Sequence, residues 1–262
     1  MPLSFFKKSR VSKNNRIFIQ LPLWAIAIFS CFTLFSVCIL FYHFIIEKPS
    51  SDTTSKNQPN GISIVIDAGH GGEDPGKVGI NNALEKDINL AISLKLKTLL
   101  ENKGFTVYLT RKDDSAPDSK KEDMTSRMDY IKEIMPDFIV SIHQNSFTDE
   151  SVNGPQVFFY SESADGKSFA QVMQSEINNY IKPVKPRVTQ ANNNYYLLKN
   201  SPAPIVIVEC GFLSNPAEAD LLVTDNYQQK IARAIYFGII AYSNSGPESH
   251  SESSTGSEIS SQ

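Results

Sequence analysis

The sequence has 262 residues, of which 41% are hydrophobic, and its formal net charge is −3. This length suffices for a membrane segment and one soluble domain with its own core, but it leaves no room for a second large domain. The first sixteen residues contain five basic side chains and no acidic one, and removing that +5 leaves −8 on the rest. So acidic a chain argues against a nucleic-acid partner, because nucleic-acid binding depends on neutralising phosphates with lysine and arginine.

A long apolar stretch runs from Leu21 to Ile46, with Trp24 near one end and Tyr42 near the other. About 20 apolar residues span a bilayer, so residues 17–46 are predicted to form a transmembrane anchor. Basic residues precede it, which predicts that residues 1–16 are cytoplasmic. The protein is therefore expected to be a single-pass cell-membrane protein whose main domain is extracytoplasmic. A cleaved signal peptide is the alternative, although no clear small-x-small cleavage site is present.

Two polar segments flank the predicted domain. Residues 47–60 are rich in Ser, Thr, Asn and Pro and are expected to form a flexible linker, whereas residues 244–262 are mostly Ser, Glu and Gly and are expected to be disordered. Cys31 and Cys38 lie in the apolar stretch, so Cys210 is the one thiol of the predicted domain. That domain, residues 61–243, cannot depend on an internal disulfide.

Short apolar runs alternate with helical patterns through residues 61–243. Five runs have the length of buried strands: Ile62–Asp67, Phe105–Leu109, Phe138–Ile142, Gln156–Tyr160 and Ile205–Glu209. Helices are predicted at Leu84–Lys103, ended by Gly104, and at Glu122–Ile134, Lys167–Ile181 and Tyr227–Tyr242. This succession predicts a single α/β domain with a twisted, largely parallel sheet flanked by helices on both faces.

Three ionisable residues fall at the ends of predicted strands. His70 follows the first strand in a glycine-rich turn, His143 follows the third, and Glu209 ends the last. Open α/β sheets bind ligands at the carboxyl ends of their strands, so these residues are candidates for one site.

Each candidate also has a structural interpretation. A single histidine near a strand end is more often structural than a metal ligand. Glu209, however, ends a run of four β-branched residues, and a buried carboxylate there must be paired or functional. Its neighbour Cys210 points to the opposite face of the strand and is expected to pack in the core.

Glu85 has two competing interpretations. The segment Asn82–Glu85 fits the start of a capping box, with Asn82 as N-cap and Glu85 reaching back to it. A loop of modest length also returns the chain from His70 to this helix start, which would make Glu85 a metal ligand. With His143 the three residues would leave a fourth position for water, which is the arrangement of a catalytic zinc. The same ligands could hold Fe(II).

Two other motifs are incomplete. Residues 71–77 match most of a phosphate-binding P-loop, but Val78 replaces the Ser or Thr that binds magnesium, and Glu73 and Asp74 would repel phosphate. His70 and the two glycines after it match an oxyanion loop of serine hydrolases, yet the sequence has no Gly-x-Ser-x-Gly nucleophile turn. Nucleotide binding and serine-hydrolase chemistry are therefore disfavoured.

Several segments together closely resemble the zinc-dependent N-acetylmuramoyl-L-alanine amidases of bacterial cell walls, the family called amidase type 3. The resemblance covers about residues 62–243 and is carried by Ile64–Gly72, Leu84–Asp87, Thr110–Arg111, Ser141–Asn145 and Val208–Asn215. Ala68 stands where proline is usual in the family and Ser146 where alanine is usual, and neither position is a ligand. The N-terminal anchor, compact size and absence of a wall-binding repeat look most like the sporulation and germination branch.

The resemblance implies that His70, Glu85 and His143 bind zinc and that Glu209 is the catalytic carboxylate. It further implies hydrolysis of the amide bond between N-acetylmuramic acid and L-alanine in peptidoglycan. Asn145 is expected to orient the substrate or a ligand, although a turn hydrogen bond explains it equally well. The expected partners are peptidoglycan, the cytoplasmic membrane and an unidentified activator or delivery protein. A non-catalytic wall-binding module is the alternative function.

Overall fold

The computed structural model describes residues 61–245. The predicted cytoplasmic segment, transmembrane anchor and linker, and residues 246–262 of the predicted tail, lie outside this range. Within it, no helix combines the length and the apolar character that crossing a membrane requires.

One six-stranded sheet with helices on both faces forms the described domain. The strands are β1 Ser63–Ala68, β2 Thr106–Leu109, β3 Phe138–Asn145, β4 Gln156–Phe159, β5 Gln190–Ala191 and β6 Ile205–Phe212. The helices are α1 Glu85–Lys103, α2 Lys120–Ile134, α3 Ala164–Ile181, α4 Tyr196–Asn200, α5 Pro216–Leu222 and α6 Asp225–Ser245. The spatial order of the strands is β2-β1-β3-β6-β4-β5.

The sheet is mixed, which corrects the predicted largely parallel arrangement. β2, β1, β3 and β6 are parallel to one another, whereas β4 pairs antiparallel with β6, and β5 is parallel to β4. Residues 146–155, between β3 and β4, contain no helix. Because a parallel crossover needs a dozen or more residues, usually with a helix, this segment returns the chain at the same end of the sheet and reverses its direction.

The two faces of the sheet have separate hydrophobic cores. On one face, Ile66, Val140 and Val208 pack with Ile92 of α1 and Phe169 of α3, and Cys210 belongs to the same core, as predicted. On the other face, the core contains residues of the sheet, of α2 and of α4, namely Val65, Ile139, Ile207, Met128, Ile131 and Leu197. The predicted α/β class with helices on both faces is therefore confirmed.

Several element ends differ from the predicted ones. β3 and β6 each continue three residues beyond the predicted end, so His143 lies within β3 and Glu209 within β6. Gly104 ends α1 with φ +99°, as its position in the sequence predicted. α6 ends at Ser245, two residues beyond the predicted domain boundary. β5, α4 and α5 were not predicted from the sequence, and all three are short.

Candidate metal centre and active site

The alternation of side chains along the strands brings the candidate residues to one face of the sheet. Residues of a strand separated by two positions share a face, so Asp67 in β1, His143 in β3 and Glu209 in β6 lie on the side covered by α2 and α4. His143 is directly paired with Glu209 in the β3–β6 register. All three strands are parallel, and their carboxyl ends therefore define one edge.

His70 lies in the loop after β1 with φ +61°, in the left-handed region that non-glycine residues rarely adopt. Its Nδ1 lies 2.8 Å from Asp74 Oδ2, and its Nε2 lies 3.3 Å from Glu85 Oε2. A carboxylate on the second ring nitrogen fixes the orientation of a metal-binding histidine. Asp74, four residues after His70, can play that part.

Glu85 is the first residue of α1, and its carboxylate is held by groups from three directions. Oε2 accepts a hydrogen bond from Lys77 N at 2.8 Å, and Oε1 accepts one from Gln144 N at 3.0 Å and one from Asn89 Nδ2 at 3.3 Å. Oε1 also lies 3.0 Å from His143 Nδ1. The carboxylate therefore faces the two histidines and not its own helix end.

The capping interpretation of Glu85 is wrong. The N-cap of α1 is Leu84, which makes no side-chain cap hydrogen bond, and Asn82 precedes the helix in a left-handed conformation with φ +65°. Local spacing suggested a capping box, but the backbone turns at Asn82 and aims the glutamate at the sheet edge.

Within residues 61–245, His70, Glu85 and His143 form a group whose potential ligand atoms all lie within 4.8 Å of one another. The two imidazole rings are nearly perpendicular, at an interplanar angle of 79° with centroids 5.0 Å apart. Two glycines make the space: a Cβ on Gly69 would collide with the His143 ring, and one on Gly76 would lie 2.6 Å from Glu85 Oε2. The arrangement could hold a metal ion.

Charge pairing in this group shifts its pKa values. Burial opposes the charged forms, but the contact with Glu85 outweighs it and raises the pKa of His143 to about 9. Burial is likewise outweighed at His70, whose pKa is raised by Glu85, and at Glu85, whose pKa is lowered by the two histidines. Glu85 is thus ionised at neutral pH, and protons on the histidines compete with any bound metal.

Glu209 is buried beside this group, with 6% of its surface exposed. Burial, together with the charge of Glu85, raises the pKa of its carboxyl to about 7, although His143 opposes the shift. Its Oε2 has no hydrogen-bond partner among the described residues. A carboxylate with a free oxygen and a pKa near neutrality is suited to proton transfer.

Asn145 makes local contacts at the end of β3. Its Oδ1 accepts a hydrogen bond from Ser146 N at 2.7 Å, and its carbonyl oxygen accepts one from Leu213 N at 2.9 Å. The side chain also lines the cavity described next, so the structure includes both the turn contact and access to the site. Its role toward a substrate stays a prediction.

A cavity of about 420 Å³ opens over the candidate centre. Besides the predicted residues, α2 and the segment entering α4 line it, with Lys120, Met124, Arg127, Tyr195 and Tyr196. These residues were not predicted, because they belong to no recognisable motif and the segment before α4 has no helical or strand pattern. Asp74 could have been noticed as a carboxylate one short loop from His70.

The incomplete P-loop does not form a phosphate cradle at a helix N-terminus. Asp74 is directed to His70, Lys77 N donates to Glu85, and α1 begins only at Glu85. Residues 71–77 therefore belong to the candidate metal centre, and the disfavoured nucleotide-binding interpretation has no structural support.

Fold and site together define an α/β protein with a candidate catalytic metal centre at the carboxyl edge of a mixed sheet. The sequence profile of the N-acetylmuramoyl-L-alanine amidases matches residues 64–241, so the chain belongs to this family. The resemblance carried by the motifs is thus confirmed, and with it an enzyme activity of the amidase class.

Individual relatives agree with this membership. The germination-specific N-acetylmuramoyl-L-alanine amidase of Bacillus subtilis (strain 168) is 34% identical over 192 residues, which cover 70% of this chain and 80% of the relative. The solved CwlD amidase of Clostridioides difficile, in complex with the GerS lipoprotein, superposes with a TM-score of 0.66 at 38% identity, covering 71% of this chain and 100% of that one. An N-acetylmuramoyl-L-alanine amidase of Clostridium difficile 630 superposes with a TM-score of 0.65 at 32% identity, covering 71% and 98%.

Proposed function

We propose that this protein hydrolyses the amide bond between N-acetylmuramic acid and L-alanine in peptidoglycan, with a zinc ion bound by His70, Glu85 and His143. The observation that carries the proposal is the group of two imidazoles and one carboxylate within 4.8 Å, next to the buried carboxylate of Glu209. Family membership supplies the bond that is cleaved.

The residues present fit zinc by their chemistry. Two histidines and one glutamate are a ligand set of catalytic zinc sites, which keep a further position open. Such an ion supplies Lewis acidity, which polarises a carbonyl group and lowers the pKa of water to about 7. Fe(II) accepts the same donors, so metal analysis of the purified protein must accompany any activity measurement.

Glu209 is proposed to move the proton in this reaction. Its free Oε2 can accept a proton from the attacking water and later deliver it to the departing nitrogen of alanine. Because His70, Glu85 and His143 already complete a three-residue ligand set, Glu209 is not needed as a fourth ligand. The pairing of Glu209 with His143 in the sheet register keeps the base beside the ligands.

The cavity over the centre gives the substrate its place. Tyr195 and Tyr196 offer aromatic and hydroxyl groups on one side, and Asn145 offers an amide at the strand end. These groups are proposed to orient the sugar and stem peptide while the walls of the cavity exclude water around the scissile bond.

The cellular setting is proposed from the parts of the sequence that precede the described residues. Residues 17–46 anchor the protein in the cytoplasmic membrane, and the amidase domain acts outside it, in cell-wall or spore-cortex remodelling. The similarity to a germination-specific amidase supports the sporulation branch. Because the similar CwlD amidase is in complex with a lipoprotein, a protein activator or delivery partner is proposed here too.

Digestion of purified cell wall by the full-length protein tests the activity. New N-terminal alanine should form on the stem peptides, its formation should stop when a chelator removes the metal, and formation should resume when zinc is added. If the zinc-loaded protein binds the wall but no new N-terminal alanine forms, the alternative of a non-catalytic wall-binding module would be favoured.

A further inference from the structure

Two buried arginines surround the backbone that leads from β1 into the candidate metal centre. Arg111, two residues after β2, donates from Nε to the Ala68 carbonyl at 2.9 Å and from Nη2 to the Gly69 carbonyl at 3.1 Å. Arg127, in α2, donates from Nη1 to the Ala68 carbonyl at 2.7 Å and from Nη2 to the His70 carbonyl at 2.7 Å. Three consecutive carbonyl oxygens are therefore held by guanidinium groups.

The segment that they hold is one that needs support. His70 has φ +61°, and a non-glycine residue keeps such a conformation only when its surroundings determine it. The hydrogen bond from Arg127 to the His70 carbonyl fixes the peptide plane that follows His70. Arg111 holds the Gly69 carbonyl, which belongs to the peptide plane before the His70 Cα. With both flanking planes held, φ and ψ of His70 are fixed, and so is the direction in which its side chain leaves the backbone.

The arginines are themselves fixed. Nε of Arg127 lies 2.9 Å from both carboxylate oxygens of Asp123, and its Nη1 donates to Asp67 Oδ1 at 2.7 Å. Nη2 of Arg111 also donates to the Lys86 carbonyl at 2.7 Å. A planar fork with five donors can satisfy several acceptors at once in one geometry, and lysine cannot.

We propose that Arg127, together with Arg111, is a positioning residue that holds His70 in the backbone conformation from which its ring binds the metal. The inference rests on the proposed zinc binding and deepens it. Arg127 acts through His70, and its role differs from that of a buried ion pair that stabilises the sheet edge in general.

The test compares Arg127→Lys with Ile131→Ala in the full-length chain. Arg127→Lys keeps a positive charge beside Asp67 and Asp123 but cannot span these acceptors and the His70 carbonyl. Ile131→Ala empties a fully buried position one turn further along the same helix and destabilises the fold through the core. Two quantities are measured for each variant: the zinc dissociation constant by competition with a chromogenic chelator, and the melting temperature of the zinc-free protein.

Arg127→Lys should raise the zinc dissociation constant by about 10–100-fold, as loss of support behind a ligand does, whereas Ile131→Ala should lower the melting temperature and leave zinc affinity nearly unchanged. If Arg127→Lys binds zinc as tightly as the wild type, the positioning role is overturned while the proposed function stands. The same conclusion follows if Ile131→Ala loses as much zinc affinity as Arg127→Lys. If Arg127→Lys does not fold, Arg111→Lys decides by the same criterion. A wild-type protein that binds no zinc overturns the proposed function first.

Discussion

At the scale of single residues, Glu85 is the position where two interpretations of the sequence diverge. Its carboxylate accepts hydrogen bonds from Lys77 N and Gln144 N, and both oxygens face histidines. Glu85→Gln replaces one accepting oxygen by an NH₂ group, which would point at a backbone donor. We expect zinc affinity to fall by more than the roughly 10–100-fold that outer-shell changes cost.

Asn82→Gly is the matched control for this prediction, because Asn82 was the N-cap in the capping interpretation and glycine tolerates its positive φ. It should leave zinc affinity unchanged. Full zinc occupancy and activity in Glu85→Gln would remove Glu85 from the ligand set. Chelator competition on both variants makes the comparison.

Zinc binding should depend on pH through the two histidines. Glu85 raises the pKa of His143 from 6.5 to about 9 in the metal-free protein, and a protonated imidazole cannot bind a metal. Since the pKa of Glu85 is lowered, the glutamate stays ionised throughout this range. Apparent zinc affinity should therefore rise with pH between about 6.5 and 9. An affinity that is flat across this interval would contradict the described pairing.

At the scale of elements, Asp67 connects three strands with α2. It accepts hydrogen bonds from Ser141 of β3 at 2.6 Å, from Thr110 after β2 at 2.8 Å and from Arg127 at 2.7 Å. Burial alone would raise the pKa of Asp67, but the Arg127 charge, the hydrogen bond from the Ser141 hydroxyl and the charge of His143 lower it from 3.8 to about 2. Its stabilising contribution is thus complete above pH 3.8 and is lost as the pH falls through 2.

Asp67→Asn should lower the free energy of unfolding by about 3 kcal/mol at neutral pH, because it leaves the buried guanidinium of Arg127 paired with Asp123 alone. Ser141→Ala removes one hydrogen bond to the same carboxylate and should cost about 1.5 kcal/mol. Urea unfolding of both variants gives these values. The gap between wild type and Asp67→Asn should close as the pH approaches 2, and a gap independent of pH would contradict the linkage.

The predictability of the elements follows from how local their causes are. β1, β3 and β6 were predictable because each contains a short apolar run, which is expected of strands covered on both faces. β5 has only two residues, both exposed, so no pattern could reveal it. The direction of β4 follows from residues 146–155, which contain no helix and are too short for a parallel crossover.

The predictability of the site divides in the same way. His70, His143 and Glu209 could be named as candidates because they follow or end recognisable apolar runs. The part played by Glu85 could not be decided, since a capping box and a ligand position have the same local spacing. Arg127 was not predicted to lie at the site, because its contacts there are with the backbone carbonyls of Ala68 and His70, and such contacts leave no trace in the sequence.

At the scale of the whole molecule, the sequence of residues 1–60 predicts that the protein is anchored in the membrane. A chain that begins at Gly61 contains every described residue and should be soluble and active, whereas the full-length protein should sediment with membranes. Protease added to intact wall-stripped cells should remove the domain from the full-length protein. Complete protection from the protease, or loss of folding in the shorter chain, would contradict the predicted topology.

In the proposed mechanism the reaction depends on Glu209, and its replacement by glutamine is the most direct test. Gln keeps the size of the side chain and removes the base, so Glu209→Gln should fold and bind zinc nearly normally while its turnover falls by about 10²–10⁴. Zinc content, melting temperature and formation of new N-terminal alanine in peptidoglycan are measured on one preparation. A stable, zinc-loaded Glu209→Gln protein with near-normal turnover would contradict the proposed mechanism.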